Sequence, residues 1–133
     1  MPLCYHACMR WDEWRFSAKL AWQDRFVRWT TLGTAIFCCA ITTFVLWKLV
    51  PIGVRSGVLT FHYTIYLGID DVRSWPWIFF PLGTMFGVLI VNLLFSLGVF
   101  RQDELASRAL VGLAAAISVI WGVGMVFLTL VNS

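Results

Sequence analysis

Three long stretches of this chain, each of 19 residues or more, are free of charged residues: 29–47, 74–100 and 109–133. At about 1.5 Å of helical rise per residue, even the shortest reaches roughly 28 Å, close to the hydrocarbon thickness of a bilayer at about 30 Å. The pattern therefore predicts transmembrane helices over residues 29–50, 77–100 and 109–131. The flanking segments carry different periods. Between residues 9 and 28, at about 100° per residue, Trp11, Trp14, Ala18 and Trp22 fall within about 80° of one another, and Trp29 continues the line. Asp12, Glu13, Arg15, Lys19, Gln23 and Asp24 lie off that stripe, so residues 1–28 read as an amphipathic leader lying in the interface.

The connection at 51–76 has period two. Leu59, Phe61, Tyr63, Ile65, Leu67 and Ile69 alternate with Thr60, His62, Thr64, Tyr66, Gly68 and Asp70, which predicts a strand over residues 58–69. Pro51, Gly53, Ser56 and Gly57 precede it as turn signals, so a hairpin between about residues 50 and 67 and a single strand both fit. A lone ribbon is marginal in water and has to rest on the bilayer, on the helices or on another copy. His62, Thr64, Tyr66 and Asp70 share one face and are the expected partner-binding residues.

Small residues mark where helices approach closely in lipid. Span two carries Gly83 and Gly87 in a GxxxG arrangement, and span three carries Ala114, Ser118 and Gly122. Joined by a turn at 101–108, these faces are expected to pack antiparallel. Asp103 is placed to cap span three, with Glu104 in its first turn. Asn92, the one strongly polar amide in mid-span, is expected to hydrogen-bond between helices. Trp11, Trp14, Trp22, Trp29, Trp75 and Trp77 are expected at the membrane interface.

Composition agrees with lipid as the main solvent: 60% of residues are hydrophobic and 13% charged. The net charge of +3 does not indicate nucleic acid, because basic residues are scattered among acidic ones. Their placement bears on orientation instead. Arg10, Arg15, Lys19, Arg25, Arg28, Arg101 and Arg108 face Lys48, Arg55 and Arg73 across the expected bilayer. The excess predicts a cytoplasmic N-terminus and an extracytoplasmic C-terminus. The first 28 residues lack the form of a cleavable signal.

Catalytic chemistry finds little footing. His62 and Asp70 would stand roughly 26 Å apart on a straight strand at about 3.3 Å per residue, and only a fold-back at Gly68 would join them. No nucleophile elbow, zinc-protease motif, phosphate loop or paired intramembrane carboxylate is present. Cys4, His6 and Cys8 are too few for a zinc site, and Cys38 and Cys39 read as apolar thiols. The expectation is a chain with no catalytic residues, no metal and no cofactor.

The run from Phe61 to Asp70, the Trp-Pro-Trp at 75–77 and the segment from Asn92 to Ser107 resemble an uncharacterised family of small multi-span membrane proteins of genome-reduced bacteria, with an HYxIYxGID loop motif. The resemblance spans residues 58–131 and implies that the loop motif is a unit, with no activity to carry over. Asp71 and Arg73 depart from the family's apolar tendency there. The expected fold is thus an all-α membrane protein with three transmembrane helices, an N-terminal interfacial amphipathic helix and a short β element in the first external loop. Its expected partners are the lipid bilayer and either copies of itself or a larger membrane complex. Two roles fit: a structural or interaction subunit acting through the loop, or a small transport component with Asn92 and span-one hydroxyls lining a path.

Overall fold

The computed structural model describes residues 3–64 and 68–132, and the side-chain surroundings of residues 11–61 and 72–132. Helix α1 covers Leu3–Gln23 and α2 covers Arg25–Ser56. Strands β1 (Val58–Thr64) and β2 (Gly68–Ser74) follow, then a 3₁₀ turn at Trp75–Ile78, α3 (Phe79–Val99) and α4 (Glu104–Val131). Three stretches are long and apolar enough to cross a membrane: Arg25–Ser56, Trp75–Val99 and Glu104–Val131.

Helix boundaries differ from the sequence expectation for identifiable reasons. The leader does not run unbroken to residue 28, because Asp24 sits between α1 and α2 and caps the latter, its Oδ1 accepting the Val27 N–H at 2.9 Å. Span one does not stop at residue 50. Pro51 lies inside α2, where it removes only the bond that position 51 would give to the Trp47 carbonyl. The helix ends at Ser56, and Gly57 after it, with a φ of 76° and an N–H bond to Gly53 O at 2.8 Å, forms a left-handed C-cap. At the other connection, α4 starts at Glu104 with Asp103 as its cap, the Ala106 N–H donating to Asp103 Oδ1 at 2.9 Å. The turn is accordingly shorter than 101–108.

The expected strand over 58–69 folds back on itself. β1 and β2 pair antiparallel from Val58 opposite Ser74 to Thr64 opposite Gly68. Alternation alone does not distinguish one long strand from two short ones; residues 65–67, between β1 and β2, lie outside the described residues. The hairpin also starts later than residue 50, since positions 51–56 are helical.

The chain forms two compact units, to which α2, α3 and α4 each contribute a stretch. The first comprises Met1–Ala35 and Val88–Ala116. Within it, the hydroxyls of Ser96 and Ser107 lie 2.7 Å apart, fully buried, and each faces the other residue's carbonyl at 3.1 and 3.0 Å. This reciprocal pair stitches α3 to α4 beside their turn. The second unit comprises Ile36–Gly87 and Ile117–Ser133. Its core joins Val45 and Leu49 of α2, Leu59 of β1, Ile78, Leu82 of α3 and Met125 of α4.

Among the described residues the buried positions are often small or hydroxylated, including Thr34, Ser96, Ser107, Ser118 and Thr129, while Ile36, Phe80, Ile120 and Phe127 are exposed. That inversion is what a lipid solvent favours, since small residues permit close approach and large apolar ones lose nothing by facing acyl chains. Thr34, Thr43 and Thr129 donate back to carbonyls four residues earlier, so their hydroxyls need no external partner.

Candidate functional site

The hairpin is held at its base by ordinary packing chemistry. Leu59 is buried in the core of its unit, with Phe61 and Trp75 packed against the same cluster. Trp75 leans on α2 at Gly53 so closely that a Cβ there would stand 2.6 Å from Trp75 Cβ. Beside it, the Trp75 N–H donates to Gly57 O at 3.2 Å, closing the strands where they leave the helices. Gly53 thus has a packing role that its reading as a turn signal misses.

The outer edge of β1 is engaged from the chain's far end. Asn132, just beyond α4, accepts the Thr60 N–H through Oδ1 at 2.8 Å and donates from Nδ2 to Thr60 O at 2.7 Å. Its amide occupies the place of a neighbouring strand at that one position of the edge. Asn132 also donates to Leu128 O at 2.9 Å, which ties the amide to the last turn of α4. Nothing local to Asn132 announces this contact, because its partner is 72 positions away.

Beyond the base the ladder is irregular. Thr60 faces Val72, His62 faces Asp71 and Tyr63 faces Ile69, so Phe61 and Asp70 are each passed over. The backbone therefore sets His62 opposite Asp71, and the fold-back replaces the straight geometry that kept His62 far from the acidic pair. Of the expected contact residues, His62, Thr64 and Asp70 lie on the strands, with side chains outside the described set; Tyr66 lies outside the described residues altogether.

Below the hairpin, an apolar groove of about 580 Å³ is walled by Phe61, Pro81, Trp121, Met125 and Leu128. Trp121 spans it, donating its indole N–H to Pro81 O at 3.0 Å.

The expected helix-packing residues divide. Gly122 is a close-approach point, but its neighbours are Phe37 and Ile41 of α2, with a Cβ meeting the Phe37 ring at 2.8 Å. Gly83 and Gly87 have nothing within 4 Å of a Cβ, so the GxxxG face of span two is not the contact surface expected for span three. Ala114 and Ser118 are buried. Asn92 donates to Val88 O at 2.9 Å within its own helix, in place of the interhelical bond expected of it. The tryptophans divide too. Trp11, Trp22, Trp29 and Trp77 are exposed, whereas Trp14 is half-buried beside Gly98 and Trp75 packs on the hairpin base. Arg28 lies over the Trp29 ring at 5.9 Å, Lys48 over Trp47 at 5.1 Å and Arg73 over Trp77 at 4.8 Å.

A polar node in the first unit escapes periodicity analysis. Asp24 Oδ2 accepts from Arg108 Nη2 at 2.7 Å, and the same guanidinium reaches Glu104 at 2.5 Å. The hydrogen bond from Arg108, reinforced by the Val27 N–H, lowers the Asp24 carboxyl below the usual carboxylate range. An acidic residue immediately before a helix was the available signal.

Among the described residues no three His, Cys, Asp or Glu side chains are grouped to hold a metal. The side chains of Cys4, His6 and Cys8 lie outside those described. Compared with protein-family models, curated proteins and solved structures, the chain has no significant match.

Proposed function

We propose that this chain is a non-enzymatic integral membrane protein, a structural or interaction subunit that meets a second copy or a partner through its hairpin. The observation that carries the proposal is the way the hairpin is mounted: Leu59 in the core, Trp75 against Gly53 and the Asn132 amide on Thr60. A tether between two spans needs none of these, and an ordered platform is what a recognition element requires. Because Asn132 covers β1 at Thr60, the contact is assigned to residues 62–71 rather than to the β1 edge as a whole. Strand addition is one mode such an element uses.

Residence in the bilayer is supported by the exposed aliphatic and aromatic side chains and by the ends of α2. Trp29 and Trp47, 18 positions apart, are separated by roughly 27 Å of helical rise, and each has a cation beside its ring, as interfacial anchors do. The cytoplasmic placement of the N-terminus rests on the basic bias.

The test is replacement of His62 and Tyr66 by alanine, with membrane insertion and crosslinked species measured together. Normal insertion with loss of crosslinked oligomer or partner is expected. Unchanged crosslinking removes the hairpin from the role assigned to it.

A further inference from the structure

The first unit contains a second feature, unconnected with the hairpin. Ser17 joins α1 to the end of α3, its Oγ donating to Gly98 O at 3.3 Å and accepting the Arg101 N–H at 3.1 Å. Trp14 lies directly on Gly98; a Cβ there would be 3.1 Å from both Cδ1 and Nε1 of the indole. Trp14 and Gly98 are walls of two hollows of opposite character. One, of about 290 Å³, is polar, with Glu13, Arg101 and Gln102 completing it. The other, of about 400 Å³, is apolar, lined further by Val91, Leu94, Phe95 and Val99.

We propose that these two hollows together hold one zwitterionic phospholipid of the phosphatidylethanolamine class, its headgroup between Glu13 and Arg101 and an acyl chain along Val91, Leu94 and Phe95. The apolar run of α3 ends at Phe100 and Arg101 is the first charge after it, so the polar hollow falls where the helix leaves hydrocarbon for water. Residues 91–99 carry the apolar hollow roughly 12 Å into the hydrocarbon at about 1.5 Å per residue. The lining sets the headgroup class. It offers one carboxylate and one guanidinium, and among the described residues these two are not ion-paired with each other. A phosphate suits the Arg101 fork and a primary ammonium suits Glu13. A phosphatidylglycerol headgroup would leave Glu13 facing an anionic lipid without a cation, and a choline has no N–H to give the carboxylate.

The test is native mass spectrometry of the full detergent-solubilised chain, supplied with an equal mixture of phosphatidylethanolamine, phosphatidylcholine and phosphatidylglycerol of matched acyl chains. Phosphatidylethanolamine is expected to be retained about threefold or more over either competitor, the scale of one partly exposed charged contact. Glu13→Gln should abolish its advantage over phosphatidylcholine, and Arg101→Gln should reduce retention of all three. Both side chains are exposed, so unchanged helical circular dichroism is expected alongside. Gly98→Val, which displaces Trp14, should lower binding whatever the headgroup. Equal or greater retention of either competitor overturns the proposal, as does a preference that neither charge substitution alters, or a lipid-free chain dimerised through this face.

Discussion

Asp24 does two jobs with two oxygens. Oδ1 caps α2 through the Val27 N–H, and Oδ2 holds Arg108 of α4. Asn preserves the first job and Ala preserves neither, so the two substitutions separate them. Asp24→Ala is expected to cost about 1 kcal/mol for the cap alone, and Asp24→Asn clearly less, measured as detergent-resistant thermal melting of helicity. The sign of the pH effect follows from the lowered carboxyl pKa. Stability from Asp24 is present above its ordinary pKa of 3.8 and is lost as pH falls through the lower folded value. Melting between about pH 5 and pH 2, roughly the range over which a hydrogen-bonded carboxylate protonates, should show an acid destabilisation that Asp24→Asn diminishes. Gly53 is the second decisive residue. With Trp75 Cβ standing 2.6 Å from an added methyl, Gly53→Ala should destabilise by roughly 1–3 kcal/mol through overpacking, despite the better helix propensity of alanine. Equal or higher stability of the alanine variant would show that Trp75 is free to withdraw.

Single contacts become consequential where they decide the fate of an element. The hairpin would be marginal alone, and its support comes from three places: the Gly57 cap that aims β1, Leu59 in the core and the Asn132 amide on Thr60. Asn132→Ala removes both hydrogen bonds to Thr60, each worth about 1 kcal/mol net, together with the one to Leu128 O, and leaves the Thr60 backbone groups to water or lipid. Deuterium exchange over residues 58–64 is expected to accelerate in this variant, with exchange in α3 unaffected. Protection that survives the substitution would mean that β2 and the core suffice. The connection between α3 and α4 shows a different device. Ser96 and Ser107 satisfy each other in a buried site, so a short turn and one hydroxyl pair fix the register of α3 and α4 beside that turn.

At the scale of the molecule, helices long enough to cross a bilayer dominate, and their residues are mostly outward-facing: 17, 22 and 28% of the most apolar stretches are buried within the chain. In the proposed membrane setting lipid or neighbouring protein would cover the rest, which is why oligomerisation and lipid retention are the assays that bear on this protein. The proposed orientation rests on the bias of basic residues. A reporter active only outside the cytoplasm, fused after Ser133, is expected to give signal, and the same reporter ahead of Met1 none; the reverse pattern would overturn the basic-residue assignment.

Membrane-spanning length, strand-forming alternation at 59–70 and the cap at Asp103 were legible in the sequence, because hydropathy, helical rise and capping act over a few neighbouring residues. Tertiary structure decided what depends on distant groups. Whether the alternating segment runs straight or folds back is a contest between pairings that have the same local pattern. Asn132 reaches Thr60, and Ser17 reaches Gly98, only because the fold carries them there. Glycines show the limit most plainly: GxxxG at Gly83 and Gly87 meets nothing, while Gly53, Gly98 and Gly122 bear an aromatic ring each. A missing side chain permits close approach, and only the opposing surface determines whether it occurs.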